Sequence, residues 1–176
     1  MAKTAIISVD GHVKASRRGY RDYVSRDHLD AYDDLVRAAE EAGEPDASNL
    51  HPDLPPEVQW ESELRIQHLE AAAVVGEVLF PNGQPFQLNP SDDYPRAASA
   101  ELAREGRWAY NRWLADFCAE APEGRRGQMQ TSFLDVEEAV RDIHWAKDHG
   151  LGDPLVGGLG VLQGPSRGLP GTPWPW

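Results

Sequence analysis

The stretch Thr4-Ala5-Ile6-Ile7-Ser8-Val9 is followed without a break by Asp10-Gly11-His12. The first six residues are mostly apolar and β-branched, and none of them is charged or a proline. This pattern predicts a short strand that is buried on both faces, as in a parallel sheet covered by helices on each side. The polar triplet would then lie immediately after the carboxyl end of that strand.

Further along the chain, segments with helical periodicity alternate with short apolar segments that are typical of strands. The predicted helices span about 25–42, 61–72, 97–121 and 135–149, and the predicted strands span 74–80 and 127–133, with room for one more over 155–162. In the last helix, Asp135 and Glu138 have the spacing of a capping box. Its expected buried stripe consists of Val136, Ala139, Val140, Ile143 and Ala146. The alternation favours an α/β fold with parallel strands.

The end of the chain differs in composition from the rest. Residues 150–176 contain eight Gly and five Pro but only two charged residues. We therefore divide the chain into an α/β domain over 1–150 and an irregular Gly/Pro-rich tail over 151–176. The abrupt change also fits a shifted reading frame or an early end in a longer gene, which the neighbouring frame of the DNA would reveal.

Charge and cysteine content exclude several classes of protein. The 176 residues carry a formal net charge of −12, which disfavours binding to nucleic acid or to anionic membranes. No apolar run reaches the roughly 20 residues of a membrane span, and the first residues do not resemble a signal peptide. The single cysteine, Cys118, cannot form an internal disulfide and is most simply a small buried residue. We expect a cytoplasmic protein with neither nucleic acid nor a membrane as its partner.

Asp10 and His12 are the clearest candidates for a functional site. Side chains two residues apart in an extended chain point to the same side, so this carboxylate and this imidazole can converge. Gly11 between them leaves the point of convergence open. An aspartate and a histidine suit zinc and other divalent metals. A short motif of this kind also fits an Asp that caps a turn beside a surface His, and the residues alone leave both interpretations open.

Three further residues are weaker candidates for the lining of a pocket. Phe80 and Asn82 follow a predicted strand and could lie at the mouth of a pocket, although an ordinary turn explains them equally well. His51 precedes Pro52 in the long, proline-rich loop over 44–59. Long loops are often functional, but a plain surface position fits His51 too.

Four segments of the chain resemble, in order, the amidohydrolase-related family of metal-dependent (β/α)₈ enzymes, which includes aminocarboxymuconate-semialdehyde decarboxylase and its relatives. The segments are IISVDGHV at 6–13, GEVLFPN at 76–82, YNRWLADFC at 110–118, and LDVEEAV followed by HWAK within 134–147. Together they cover the chain from residue 4 to about residue 150. No single segment is diagnostic, and the resemblance depends on their order.

The resemblance implies a partial TIM-barrel-like fold of three to four β/α units, with the site at the carboxyl ends of the strands. It implies that Asp10 and His12 bind a divalent metal, with zinc as the expected ion. The activity would be hydrolysis or non-oxidative decarboxylation of a small-molecule substrate. The later strands that complete the family's metal site have no counterpart in this sequence. The alternative is therefore a non-catalytic barrel fragment, or a partner-dependent half-barrel that self-associates through exposed strand edges.

Overall fold

The structure, a computed structural model, describes residues 5–46, 54–86, 100–132 and 135–156. Strands and helices alternate along these residues, as the sequence predicts. The strands are β1 (Ile6–Val13), β2 (Val74–Pro81), β3 (Arg125–Thr131) and β4 (Gly152–Val156). The α-helices are α1 (Leu29–Glu41), α2 (Ser62–Ala71), α3 (Ala100–Ala119) and α4 (Val136–Asp148). Short 3₁₀ helices span Arg21–Tyr23, Arg26–His28 and Pro56–Gln59.

The four strands form one parallel sheet in the order β1-β2-β3-β4. Each strand pairs with its neighbour in sequence, so the chain winds in a single direction across the sheet. This order is the one found in (β/α)₈ barrels, whereas doubly wound sheets reverse direction at a switch point. Within the described residues the sheet is open, with β1 and β4 at its edges. The predicted α/β class is confirmed, as an open parallel sheet and not as a closed barrel.

Helix α3 supplies much of the hydrophobic core and packs on β3. Its buried residues Tyr110, Leu114 and Phe117 recur at helical spacing and meet Leu79 of β2 and Met129 of β3 in one cluster. A pair of hydrogen bonds fixes the helix to the strand. The side chain of Asn111 donates to the Gln130 carbonyl and accepts from the Gln130 N–H, each at 2.8 Å. Because both groups are buried, these bonds satisfy polar atoms that water cannot reach.

Strand β1 differs from its prediction in extent and in burial. It continues through Asp10-Gly11-His12 to Val13, so the triplet lies inside the strand and not after it. Its first half is exposed on both faces, with Ile6, Ile7 and Val9 all open to solvent. The expectation of burial on both faces is therefore wrong. Among the described elements, β1 packs chiefly on β2 and on the 3₁₀ helix Pro56–Gln59, so its first half is not covered by an α-helix of the described residues.

Helix α4 begins as expected but buries a narrower face than expected. The Asp135 carboxylate accepts a hydrogen bond from the Glu138 N–H at 2.9 Å, which confirms the predicted cap. Ala139 and Ala146 of the expected stripe are buried. Val136, Val140 and Ile143 are exposed, which corrects the prediction. The helix meets the sheet along a line of small residues that includes the buried Asp142, so the larger apolar residues beside it stay in solvent.

Several predictions fall partly or wholly outside the described residues. The last described strand begins at Gly152, earlier than the predicted 155, and residues 157–176 are not described. His51 also lies outside the described residues. Among the helices that are described, none combines the length and apolar character needed to cross a membrane.

Candidate metal site on the carboxyl half of β1

Asp10 and His12 lie together on one face of β1. The Asp10 Oδ1 atom is 3.4 Å from the His12 Nε2 atom. The convergence predicted from their spacing is thus present in the structure. The Asp10 side chain is 89% exposed and the His12 side chain 37%, so the pair is open to solvent on the Asp10 side.

Two neighbours on β2 orient the His12 ring. The Nδ1 atom lies 3.3 Å from the Pro81 carbonyl oxygen, and the Phe80 ring centre lies 6.0 Å from the imidazole. A carbonyl can only accept a hydrogen bond, so this contact requires the proton on Nδ1. In the neutral ring, the Nε2 lone pair then faces the Asp10 carboxylate. Metal-binding histidines are oriented in the same way, with the remote ring nitrogen donating to a carbonyl or carboxylate.

The chemistry of these two donors fits a divalent cation. A carboxylate oxygen and an imidazole lone pair that face each other repel, unless a proton or a metal ion lies between them. These two side chains are, however, a small set of ligands for a metal ion. Over the described ranges, no group of three or more His, Cys, Asp or Glu side chains is placed to hold a metal ion. Catalytic zinc sites usually have three protein ligands, so Asp10 and His12 supply part of such a shell.

Phe80 and Asn82 lie beside the pair, at the end of β2. Phe80 contacts the His12 ring, whereas Asn82 ties neighbouring segments together. Its backbone N–H donates to the Val13 carbonyl at 3.0 Å, and its side-chain amide donates to the Gln59 side chain. The contacts of Asn82 are those of a residue that closes the end of a strand. A pocket-lining role for Phe80, Asn82 and His51 stays a prediction.

A buried ionic cluster, which sequence reasoning missed, lies behind the pair. It consists of Arg65 on α2, Glu77 on β2 and Arg125 on β3. The Arg65 Nη2 atom is 2.7 Å from Glu77 Oε2, and the Arg125 Nε atom is 3.1 Å from Glu77 Oε1. The Glu77 side chain has no exposed surface. The signal in the sequence is a glutamate in the middle of an otherwise apolar strand, which needs a partner when it is buried.

Cys118 takes no part in the candidate site. Its thiol lies on the buried side of α3, and burial raises its pKa to about 11. The thiolate, which is the nucleophilic form, is therefore scarce at neutral pH. The interpretation of Cys118 as a small buried residue is confirmed.

Comparisons with known proteins give a distant structural likeness and no family. No protein-family model matches the chain, and no curated protein matches it. Among solved structures, a 5-carboxyvanillate decarboxylase from Novosphingobium aromaticivorans, with bound manganese and 3-methoxy-4-hydroxy-5-nitrobenzoic acid, matches with a TM-score of 0.49 and 18% identity. The match covers 85% of this chain and 41% of that one, so the chain spans less than half of that enzyme's length. A likeness of this size assigns neither an activity nor a ligand.

Proposed function

We propose that this chain is a metal-dependent hydrolase or non-oxidative decarboxylase of the amidohydrolase-related type, in which Asp10 and His12 bind a divalent cation. The observation that carries the proposal is the 3.4 Å approach of the Asp10 carboxylate to the His12 Nε2 atom. The pair lies on the carboxyl half of the first strand of a parallel sheet, where (β/α)₈ enzymes place their sites. A small molecule is the proposed substrate and the cytoplasm the proposed location.

Asp10, His12 and Phe80 would have different roles in this site. A bound divalent cation would supply a Lewis acid that polarises a carbonyl group or acidifies a bound water. Asp10 contributes a negative charge, and His12 contributes a neutral donor whose ring is held by the Pro81 carbonyl. Phe80 places an apolar ring beside the imidazole, with the ring centres 6.0 Å apart. Substrate would approach from the exposed Asp10 side, and Asp10 and His12 would supply part of the metal shell.

Retention of metal by matched variants tests the proposal. The purified protein is stripped with a chelator, equilibrated with Zn²⁺ or Mn²⁺, freed of excess ion and analysed for metal per chain. Both ions accept carboxylate and imidazole ligands. We expect the unaltered protein to retain a stoichiometric ion, and Asp10→Asn and His12→Gln to lose it. His144→Gln, an exposed histidine on α4, is the control and should retain it. The proposal is wrong if the unaltered protein holds no metal, or if all three variants hold it equally.

The second candidate is a non-catalytic half-barrel that depends on a partner or on a second copy of itself. Two observations favour it: the described residues supply only a partial ligand set, and the apolar first half of β1 is exposed. An edge strand of this kind can pair with another chain through its free backbone groups. This candidate predicts self-association without metal binding, whereas the first predicts metal binding whatever the state of association.

A further inference from the structure

Arg65 lies directly behind the Asp10–His12 pair, on the opposite face of β1. Its Nε atom donates to both carboxylate oxygens of Glu77, at 3.0 and 2.9 Å. Its Nη1 atom donates to the Val58 carbonyl at 3.1 Å and reaches the His12 carbonyl at 3.4 Å. One guanidinium group therefore joins α2 and β2 to the 3₁₀ helix Pro56–Gln59 and to the backbone of His12.

Gly11 is the point at which β1 and Arg65 meet. A Cβ atom at residue 11 would lie 3.0 Å from Arg65 Nη2, 3.1 Å from Leu79 Cδ2 and 3.1 Å from the Val78 carbonyl oxygen. These distances are shorter than an ordinary van der Waals contact, so the strand or its neighbours would have to shift by a few tenths of an ångström to accept a methyl group. Any side chain at residue 11 would point away from those of Asp10 and His12. The glycine between the two candidate ligands thus makes room for the arginine behind them.

The rest of the buried cluster holds Arg65 in place. Glu77 is fully buried and also accepts from Arg125 at 3.1 Å. Arg125 in turn donates to the Ser62 hydroxyl at 2.7 Å and to the Phe117 carbonyl at 3.0 Å. Removing one partner from such a buried group would leave an uncompensated charge, which is strongly destabilising. Arg65 is therefore fixed from behind by α2, β2, β3 and α3.

We propose that Arg65 is a positioning residue for the metal site. By packing on Gly11 and bonding to the His12 carbonyl, it sets the backbone from which the Asp10 and His12 side chains converge. The proposal rests on the proposed metal function and deepens it. Arg65 lies on the face of β1 opposite the Asp10 and His12 side chains, so its effect on the metal site would pass through the geometry of the pair.

A glycine substitution with a matched control tests this role without removing any charge. Gly11→Ala adds the methyl group that meets Arg65. Gly76→Ala adds the same group on the neighbouring strand β2, where the nearest atom is the Gly124 carbonyl oxygen at an ordinary 3.5 Å. We expect Gly11→Ala to raise the Kd for Zn²⁺ by about ten-fold or more, as for other residues that orient metal ligands. Gly76→Ala should leave the Kd unchanged.

Arg65→Lys is a second, independent variant. Lysine keeps a positive charge near Glu77 but loses the planar fork that bonds the Glu77 carboxylate through Nε and Nη2 and the two carbonyl groups through Nη1. We expect it to raise the Kd for Zn²⁺ in the same direction as Gly11→Ala. Circular dichroism checks that each variant is folded at the temperature of the titration.

A measurement on metal-free protein tests the positioning role of Arg65 independently of metal binding by Asp10 and His12. Nitrogen-15 NMR of the His12 ring, at a pH where imidazole is neutral, reports which ring nitrogen carries the proton. The unaltered protein and Gly76→Ala should share one tautomer preference, set by the Pro81 carbonyl and the Asp10 carboxylate on either side of the ring, and Gly11→Ala and Arg65→Lys should lose this preference. If the unaltered protein binds no metal while the variants lose the preference, the metal function is wrong and the positioning role stands. If both variants match the unaltered protein in tautomer and in Kd, the positioning role is wrong.

Discussion

The carboxyl group of Asp142 is buried, and within the described residues only one of its two oxygen atoms accepts a hydrogen bond. Its Oδ2 atom accepts a hydrogen bond from the Thr131 hydroxyl at 3.0 Å. Its Oδ1 atom is buried without a hydrogen-bond partner in the described part of the chain. Burial raises the pKa of this carboxyl above its ordinary value, and the hydrogen bond from Thr131 opposes the rise only in part. The folded state therefore binds this proton more tightly than the unfolded state does.

A pH-dependent loss of stability follows from that shift. As the pH rises from the unfolded-state pKa of about 3.9 through the raised folded-state pKa, the folded protein must give up a proton it favours. The Asp142 contribution to the free energy of unfolding falls across this interval and stays low above it. Asp142→Asn removes the titration and keeps an acceptor for Thr131. We expect the stability of this variant relative to the unaltered protein to increase with pH, measured by urea denaturation.

Asp148→Asn provides the control for that experiment. Asp148 is exposed at the end of the same helix. Its substitution should leave the pH dependence of stability unaltered. Parallel pH profiles for Asp142→Asn and the unaltered protein would contradict the role given to the buried carboxyl.

The convergence of Asp10 and His12 could be predicted because it depends only on local geometry. Residues two apart in a strand share a face in any sheet. The Arg65–Glu77–Arg125 cluster could not be predicted in the same way. Its three residues come from three elements, and only the fold shows which of them meet. The buried glutamate gave a signal, but not the identity of its partners.

At the scale of elements, the helices and strands followed from the periodicity of the sequence, but the burial of their faces did not. Val136, Val140 and Ile143 have helical spacing, yet α4 buries only the small residues beside them. Likewise, the apolar start of β1 predicts a strand correctly but not its exposure. Whether an apolar face is covered depends on which elements pack on it, and that is a property of the whole fold.

Helix α3 lies close to the segment that follows β2, and this contact predicts whether alanine at residue 106 raises or lowers the free energy of unfolding. A Cβ atom on Gly106 would lie 1.8 Å from the Pro85 carbonyl oxygen. Alanine in place of glycine normally stabilises a helix by about 1 kcal/mol. Here the methyl group would force two backbones apart, and overpacking typically costs about 1–3 kcal/mol. We expect Gly106→Ala to lower the free energy of unfolding, measured by urea denaturation. A stabilised variant would show that α3 does not pack this closely.

At the scale of the whole molecule, the exposed edge of β1 predicts self-association. Val9 is 68% exposed on a strand that, among the described residues, pairs only with β2. Lysine on an edge strand blocks pairing with another chain, so we expect Val9→Lys to reduce association in sedimentation experiments. The net charge of −12 opposes association, and salt should therefore strengthen it.

Val136→Lys is the matched control for the edge. Val136 is 67% exposed, but it lies on α4 and not on a strand. The substitution Val136→Lys removes a valine side chain that is exposed to the same extent as Val9, and it leaves the edge of β1 unchanged. A protein that stays monomeric at all concentrations and salt levels would contradict this prediction. Equal effects of the two lysines would assign association to apolar surface in general.

The central claim is that Asp10 and His12 bind a divalent cation, and anomalous diffraction from crystals of the zinc-equilibrated protein tests it most directly. We predict an anomalous peak about 2.0–2.2 Å from the His12 Nε2 atom and from an Asp10 carboxylate oxygen, the range of protein zinc–ligand distances. The same data identify every ligand of the bound ion. A peak elsewhere in the molecule, or no peak in crystals equilibrated with zinc, would contradict the claim.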